Sequence, residues 1–194
     1  MLTSFMTTAR QSRTFWLKFL ISTALFIFSG TASSYLYYRF NDSGGAFMPG
    51  LLYTSFTILV FLLAGKSFSI KNLAIYYALM NLTYLVLLFL TFFSSYFGFF
   101  VGIVTGGIGA MITFYLTGRF ISNIKWGKPN LFIQGGLAFL ITDILYFTFS
   151  STFDKTPIEY LFRINNPPAT LFVEVFIFWH SIVGTRLSWA IHRS

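Results

Sequence analysis

Residues Asn72–Phe93 read NLAIYYALMNLTYLVLLFLTFF. The run contains no Asp, Glu, Lys or Arg, and it matches the about 20 residues a helix needs to cross a bilayer core at about 1.5 Å per residue. A backbone in hydrocarbon must satisfy its own polar groups, so such a run implies a helix. Two further long apolar runs precede it, Phe15–Tyr38, which carries Lys18, and Phe47–Ala64. Three follow it, Tyr96–Arg119, Pro129–Ser150 and Pro168–Ala190. The expected fold is all-α: a polytopic membrane protein of six transmembrane helices, forming a single domain over residues 1–194.

Charge orients these spans. Of 13 Lys and Arg residues, Arg10, Arg13, Lys18, Lys66, Lys71, Arg119, Lys125, Lys128, Arg186 and Arg193 fall at alternate ends, and only Arg39, Lys155 and Arg163 at the others. The positive-inside rule places both termini in the cytoplasm, and a bacterial inner membrane is the expected location. The net charge of +8 is spread over short clusters at span ends, where it faces the lipid bilayer, so no nucleic acid is expected as a partner. The absence of cysteine excludes disulfides, thiolate metal sites and covalently attached haem, and no cofactor or metal is expected.

The start of the chain also has signal-peptide character: Arg10, Arg13 and Lys18 precede the apolar run Phe19 to Phe28, with small residues at Gly30-Thr31-Ala32. The apolar stretch continues through Tyr35–Tyr38, which favours an uncleaved first helix. Pro49 sits where a second helix starts, and Gly65 where it stops. Ser94-Ser95-Tyr96 reads as a tight turn between spans three and four. In the last external loop, Thr156-Pro157-Ile158-Glu159 has the pattern of an N-cap, a first-turn Pro and a capping-box Glu, so a short interfacial helix is expected near 157–163.

Two features carry possible chemistry. Gly98, Gly102, Gly106 and Ala110 repeat at four-residue spacing on span four, a face that lets another helix approach closely. Its partner is expected within the chain, or alternatively in another membrane protein or a second copy. Asp143 and Glu174 are the costliest residues in the spans, each roughly 10 Å below the external end, and both need a proton, hydrogen bonds, water or a cation.

Neighbouring polar stripes extend the pattern. Gly136, Asp143, Tyr146 and Ser150 share one side of span five, and Glu174, Ser181, Thr185 and Ser188 one side of span six. Ser22, Ser29 and Ser33 align on span one; Ala74, Tyr77, Asn81 and Tyr84 align on span three. Together they suggest a polar cavity enclosed by spans one, three, five and six. Interhelical hydrogen bonding that merely holds the bundle together is the plainer reading of the Ser and Thr residues. His180, near the middle of span six, suits either proton relay or hydrogen-bonded packing.

The expected function is a small transport protein, or the membrane-embedded substrate-binding subunit of a transporter, for a cation, a proton-coupled solute or another small solute. Asp143 and Glu174 would bind the cation or proton, with Tyr77, Asn81, Tyr84, Tyr146, His180 and Ser181 shaping the cavity. In size and span number, though in no diagnostic motif, the chain resembles the substrate-binding subunits of energy-coupling-factor vitamin transporters. A non-catalytic accessory subunit docked through the glycine face is one alternative. A lipid-modifying enzyme using the two carboxyls as acid and base is another. No complete catalytic motif is present: His180 and Gly184 have a rhomboid-protease spacing, but Val104-Thr105-Gly106-Gly107 lacks the serine.

Overall fold

The computed structural model describes residues 2–40, 45–97, 99–121, 128–153 and 167–193, with side chains in narrower ranges that leave out Asp143, Tyr146 and Glu174. It is all-helical. Six helices appear in it: α1 (Leu2–Arg39), α2 (Met48–Leu63), α3 (Ile70–Phe97), α4 (Phe99–Phe120), α5 (Lys128–Phe153) and α6 (Pro167–Arg193). A 3₁₀ turn, Gly45–Phe47, leads into α2. Four segments among the described residues are long and apolar enough to cross a membrane: Arg13–Arg39, Gly45–Leu63, Ile70–Thr91 and Phe100–Phe120. Among the described residues, α5 adds a shorter apolar stretch, Asn130–Thr142.

Local chemistry accounts for the helix ends. Pro49 lies in the first turn of α2, where its missing N–H breaks no helical bond. At the other end Gly65 takes a left-handed φ of 73°. Its N–H donates to the Leu62 carbonyl and the Lys66 N–H to the Phe61 carbonyl, a Schellman ending that satisfies two orphan acceptors. The expected turn at Ser94-Ser95-Tyr96 is not there. Helix α3 continues through these residues to Phe97, and α4 begins at Phe99. Two serines flanked by aromatic residues do not stop a helix; Gly98, between the two helices, lies outside the described residues. The segment expected as an interfacial helix, 157–163, also lies outside them.

Each helix packs against its neighbours in sequence, and α6 returns to α1, closing a ring. The α1–α6 contact is antiparallel: Ser22 meets His192, whereas Ser29 meets His180. Glycines bring both main seams to contact distance. A Cβ on Gly30 would lie 2.8 Å from the Phe176 carbonyl oxygen, and one on Gly184 would strike the Phe26 ring. Along α4–α5, a Cβ on Gly106 would lie 2.5 Å from the Gly135 carbonyl oxygen, and Gly102 receives the Phe139 ring. Ala110 packs on Gly135 from the next turn. The Gly102, Gly106 and Ala110 part of the small-residue face is thus filled by α5 of the same chain.

The α1 and α3 residues expected to line a polar cavity can be placed, while the Asp143, Tyr146 and Glu174 side chains lie outside the described residues. Ser22, Ser29 and Ser33 are fully buried in the closed α1–α6 seam. The buried face of α3 is Tyr76, Met80 and Tyr84, while Ala74 is exposed. Among the described residues, many hydroxyls turn to their own helix, as Thr54, Thr57, Thr91, Thr117, Thr142 and Ser181 do by donating to the carbonyl four residues back. That bond satisfies a hydroxyl in a low-dielectric interior without any cavity.

Candidate functional site

The polar centre of the bundle is built on His180. Its position on α6 is fixed by the close approach of α1 at Gly30, where an added Cβ would lie 3.1 Å from the His180 Cβ. The imidazole is 0% exposed. Its Nδ1 lies 3.3 Å from Ser29 Oγ on α1, and its Nε2 lies 3.0 Å from the Tyr84 hydroxyl on α3. Both hydroxyls can donate or accept, so either neutral tautomer is served. Three helices therefore meet at one ring.

Aromatic side chains enclose that ring. The Tyr53 ring of α2 lies 4.8 Å from it, Tyr84 at 5.6 Å and Trp179 at 6.0 Å. The Trp179 N–H donates to the Gly106 carbonyl at 3.2 Å, an acceptor reachable because α4 carries no side chain there. Nearby, the Tyr76 hydroxyl lies 3.2 Å from Thr117 Oγ1 and ties α3 to α4. The buried Tyr53 hydroxyl has no hydrogen-bond partner among the described residues, nor do Ser33 Oγ, Thr113 Oγ1 and Ser188 Oγ.

Above this centre, towards the ends expected to be external, a narrow crevice with a cavity volume of about 30 Å³ runs between α3, α4, α5 and α6. Tyr84 and Trp179 contribute to its lining, together with Leu87, Thr91, Thr105 and Phe139. That open space is room for roughly one or two water molecules, and its walls are overwhelmingly apolar with a few hydroxyls. Tyr84 belongs to both features, since it faces the crevice and bonds His180.

The expected site residues separate into groups. His180 and Tyr84 come together. Tyr77 lies instead at the α2–α3 contact, its hydroxyl 3.1 Å from Ser55 Oγ. Asn81 donates to the Tyr77 carbonyl at 2.7 Å, and its Oδ1 sits beside Gly50 without a hydrogen-bond partner. Ser181 bonds the Ile177 carbonyl at 2.6 Å within its own helix. Asp143 and Tyr146 are on α5 and Glu174 is on α6, with their side chains outside the described residues.

Tyr53, Trp179, Phe139, Thr91 and Thr105 were not legible as site residues. Only the Tyr76–Met80–Tyr84 spacing and the Trp179–His180 adjacency offered a signal, and aromatic residues are too common in this chain to stand out. No known protein family matches the chain, and no characterised protein or solved structure is detectably similar to it.

Proposed function

We propose that this chain is an integral membrane protein of six spans, with both termini cytoplasmic, that binds a small solute within the bilayer as a transporter or as a transporter's substrate-binding subunit. The observation that carries this reading is the narrow apolar crevice whose lining includes Tyr84, itself bonded to the buried His180. Apolar walls favour an amphiphilic solute, its hydrocarbon part against Leu87, Phe139 and Trp179. Asp143 is one helical turn from Phe139 on α5, and Glu174 directly precedes the crevice residue Val175 on α6. In this reading the two carboxyls supply the site for a proton, a cation or a cationic end of the solute. Filling the crevice displaces Tyr84, and the Tyr84–His180–Ser29 bonds carry that displacement to the α1–α6 seam.

An accessory subunit docked through the glycine face has less support, because α5 already fills the Gly102–Gly106–Ala110 part of that face.

The cysteine-free sequence permits a direct test. Thr91→Cys would place a single thiol in the crevice wall. A small thiosulfonate reagent should modify it, and a panel of lipophilic amines should include members that slow the reaction. A thiol that no reagent reaches, or that no amine protects, would count against a binding crevice.

A further inference from the structure

The seam between α1 and α6 carries polar side chains at two levels and an apolar layer between them. On α6, His180, Gly184, Ser188 and His192 follow one another at one-turn intervals, and both histidines bond serines of α1. His180 Nδ1 meets Ser29 Oγ at 3.3 Å, and His192 Nε2 meets Ser22 Oγ at 2.9 Å. The two histidines are about 18 Å apart along α6 at about 1.5 Å per residue, more than half of a hydrocarbon core about 30 Å thick. Between the two levels stands Phe26. It is fully buried, its ring covers Gly184, and the Tyr53 ring packs on it at 5.3 Å.

Each level connects to one end of the bundle. His180 Nε2 bonds the Tyr84 hydroxyl, and Tyr84 lines the crevice, whose open space of about 30 Å³ is room for roughly one or two waters. His192 is half-buried in the last turn of α6. Every link passes a proton in either sense: an imidazole takes one on one nitrogen and gives one from the other, and a hydroxyl both donates and accepts. Hydrogen bonding that only held α1 to α6 would satisfy its own hydroxyls. This seam leaves two buried ones without a partner among the described residues, Ser33 one turn beyond Ser29 and Ser188 one turn from His192. The Tyr53 hydroxyl, on a ring 4.8 Å from that of His180, is a third. In a bilayer interior such groups call for water, so the line of links also holds the sites at which water bridges them.

We propose that the α1–α6 seam is a gated proton path, running from Tyr84 through His180 and Ser29, past Phe26, to Ser22 and His192. A hydrated proton in the crevice adds to the Tyr84 oxygen as the Tyr84 hydroxyl passes its own proton to His180 Nε2. Nδ1 then releases a proton to Ser29 Oγ, whose own proton moves on, and the ring is left as the other neutral tautomer. The Phe26 layer excludes water and stops the transfer until the ring moves, as a hydrophobic constriction gates a pore. The path shares Tyr84 and His180 with the solute crevice and rests on α1 and α6 spanning the bilayer, but it requires no bound solute.

The test is proton uptake into liposomes that hold a pH-sensitive dye, with no amine present and a potassium gradient plus valinomycin supplying the driving force. Wild type should admit protons slowly. Phe26→Ala should raise the rate about tenfold by opening the apolar layer, whereas Phe26→Leu should not. Adding His180→Asn to Phe26→Ala should return the rate to the wild-type level, since an amide cannot relay a proton, while a leak through a loosened bundle would persist. No rise in a Phe26→Ala protein that elutes like wild type, or a rise that survives His180→Asn, would overturn the path. A second measurement needs no change at Phe26. In the wild type, the His180 ring N–H, identified by NMR as the imidazole signal that survives His192→Gln, should exchange with deuterium within minutes through Tyr84. Protection lasting a day would overturn the external half of the path. Amine flux in a protein that fails both measurements would remove the proton path and leave the solute reading standing.

Discussion

Tyr53 and Tyr84 are both buried tyrosines beside His180, yet they differ in one hydrogen bond. The Tyr84 hydroxyl meets His180 Nε2, whereas the Tyr53 hydroxyl has no partner among the described residues. Tyr84→Phe removes a buried bond and leaves a ring nitrogen unpaired, which should cost about 1–3 kcal/mol. Tyr53→Phe removes only an unsatisfied group, so its cost should be near zero or negative. Thermal unfolding of the two variants in the same detergent separates these outcomes; equal losses would show that the hydrogen bond contributes little.

His192, past the apolar run that ends at Ala190, gives a pH prediction. Burial first, then Lys18 and Lys66, hold its pKa below the ordinary 6.5. Above pH 6.5 the imidazole is neutral in both folded and unfolded chains. Below it, the unfolded chain takes up a proton that the folded one resists, so stability should fall as pH drops from 6.5 towards the lowered folded pKa. His192→Gln should flatten that part of the melting profile. His180 was legible from sequence as a central ring with two possible roles, but its partners Ser29 and Tyr84 were not, because nothing in one helix's register says which residue of another meets it.

At the scale of helices, glycines do two different jobs. Gly65 holds a positive φ in open space, so Gly65→Ala should cost only about 1 kcal/mol of backbone strain. Gly106 and Gly135 face each other's backbone, and no rotamer change makes room there. Gly106→Leu or Gly135→Leu should therefore abolish monodisperse folded protein, as seen by size-exclusion chromatography, while Gly65→Ala should not. The four-residue spacing on α4 and the stop at Gly65 could be read directly, because both depend on local geometry. The inward face of α3 could not. A helix in lipid is apolar on all sides, so polarity no longer distinguishes inside from outside, and the stripe through Tyr77 and Asn81 marked the α2 contact instead of the core. Of the Ser and Thr stripes, Ser22 and Ser29 bond across to α6, whereas Ser181 turns to its own helix and needs no polar neighbour.

At the scale of the whole molecule, topology and transport are separable. The positive-inside reading puts the connection containing Ser43 outside and that containing Ser67 inside. In intact cells an impermeant maleimide should label Ser43→Cys and spare Ser67→Cys, with both labelled after lysis. The reverse pattern would invert the bundle and move the crevice to the cytoplasmic half. The six helices were readable because bilayer thickness sets helix length, and among the described residues four segments are long and apolar enough to cross a membrane. The closed α1–α6 seam was not, because it depends on Gly30 and Gly184 bringing distant segments together.

The central claim is solute binding and movement through the bilayer, and flux in liposomes tests it most directly. Purified protein would be reconstituted with an internal pH-sensitive dye and challenged with lipophilic amines under a proton gradient. The wild type should show protein-dependent flux for at least one amine, while Asp143→Asn and Glu174→Gln should abolish it with unchanged melting temperatures. No flux from well-folded wild-type protein, or wild-type flux in both variants, would contradict the account.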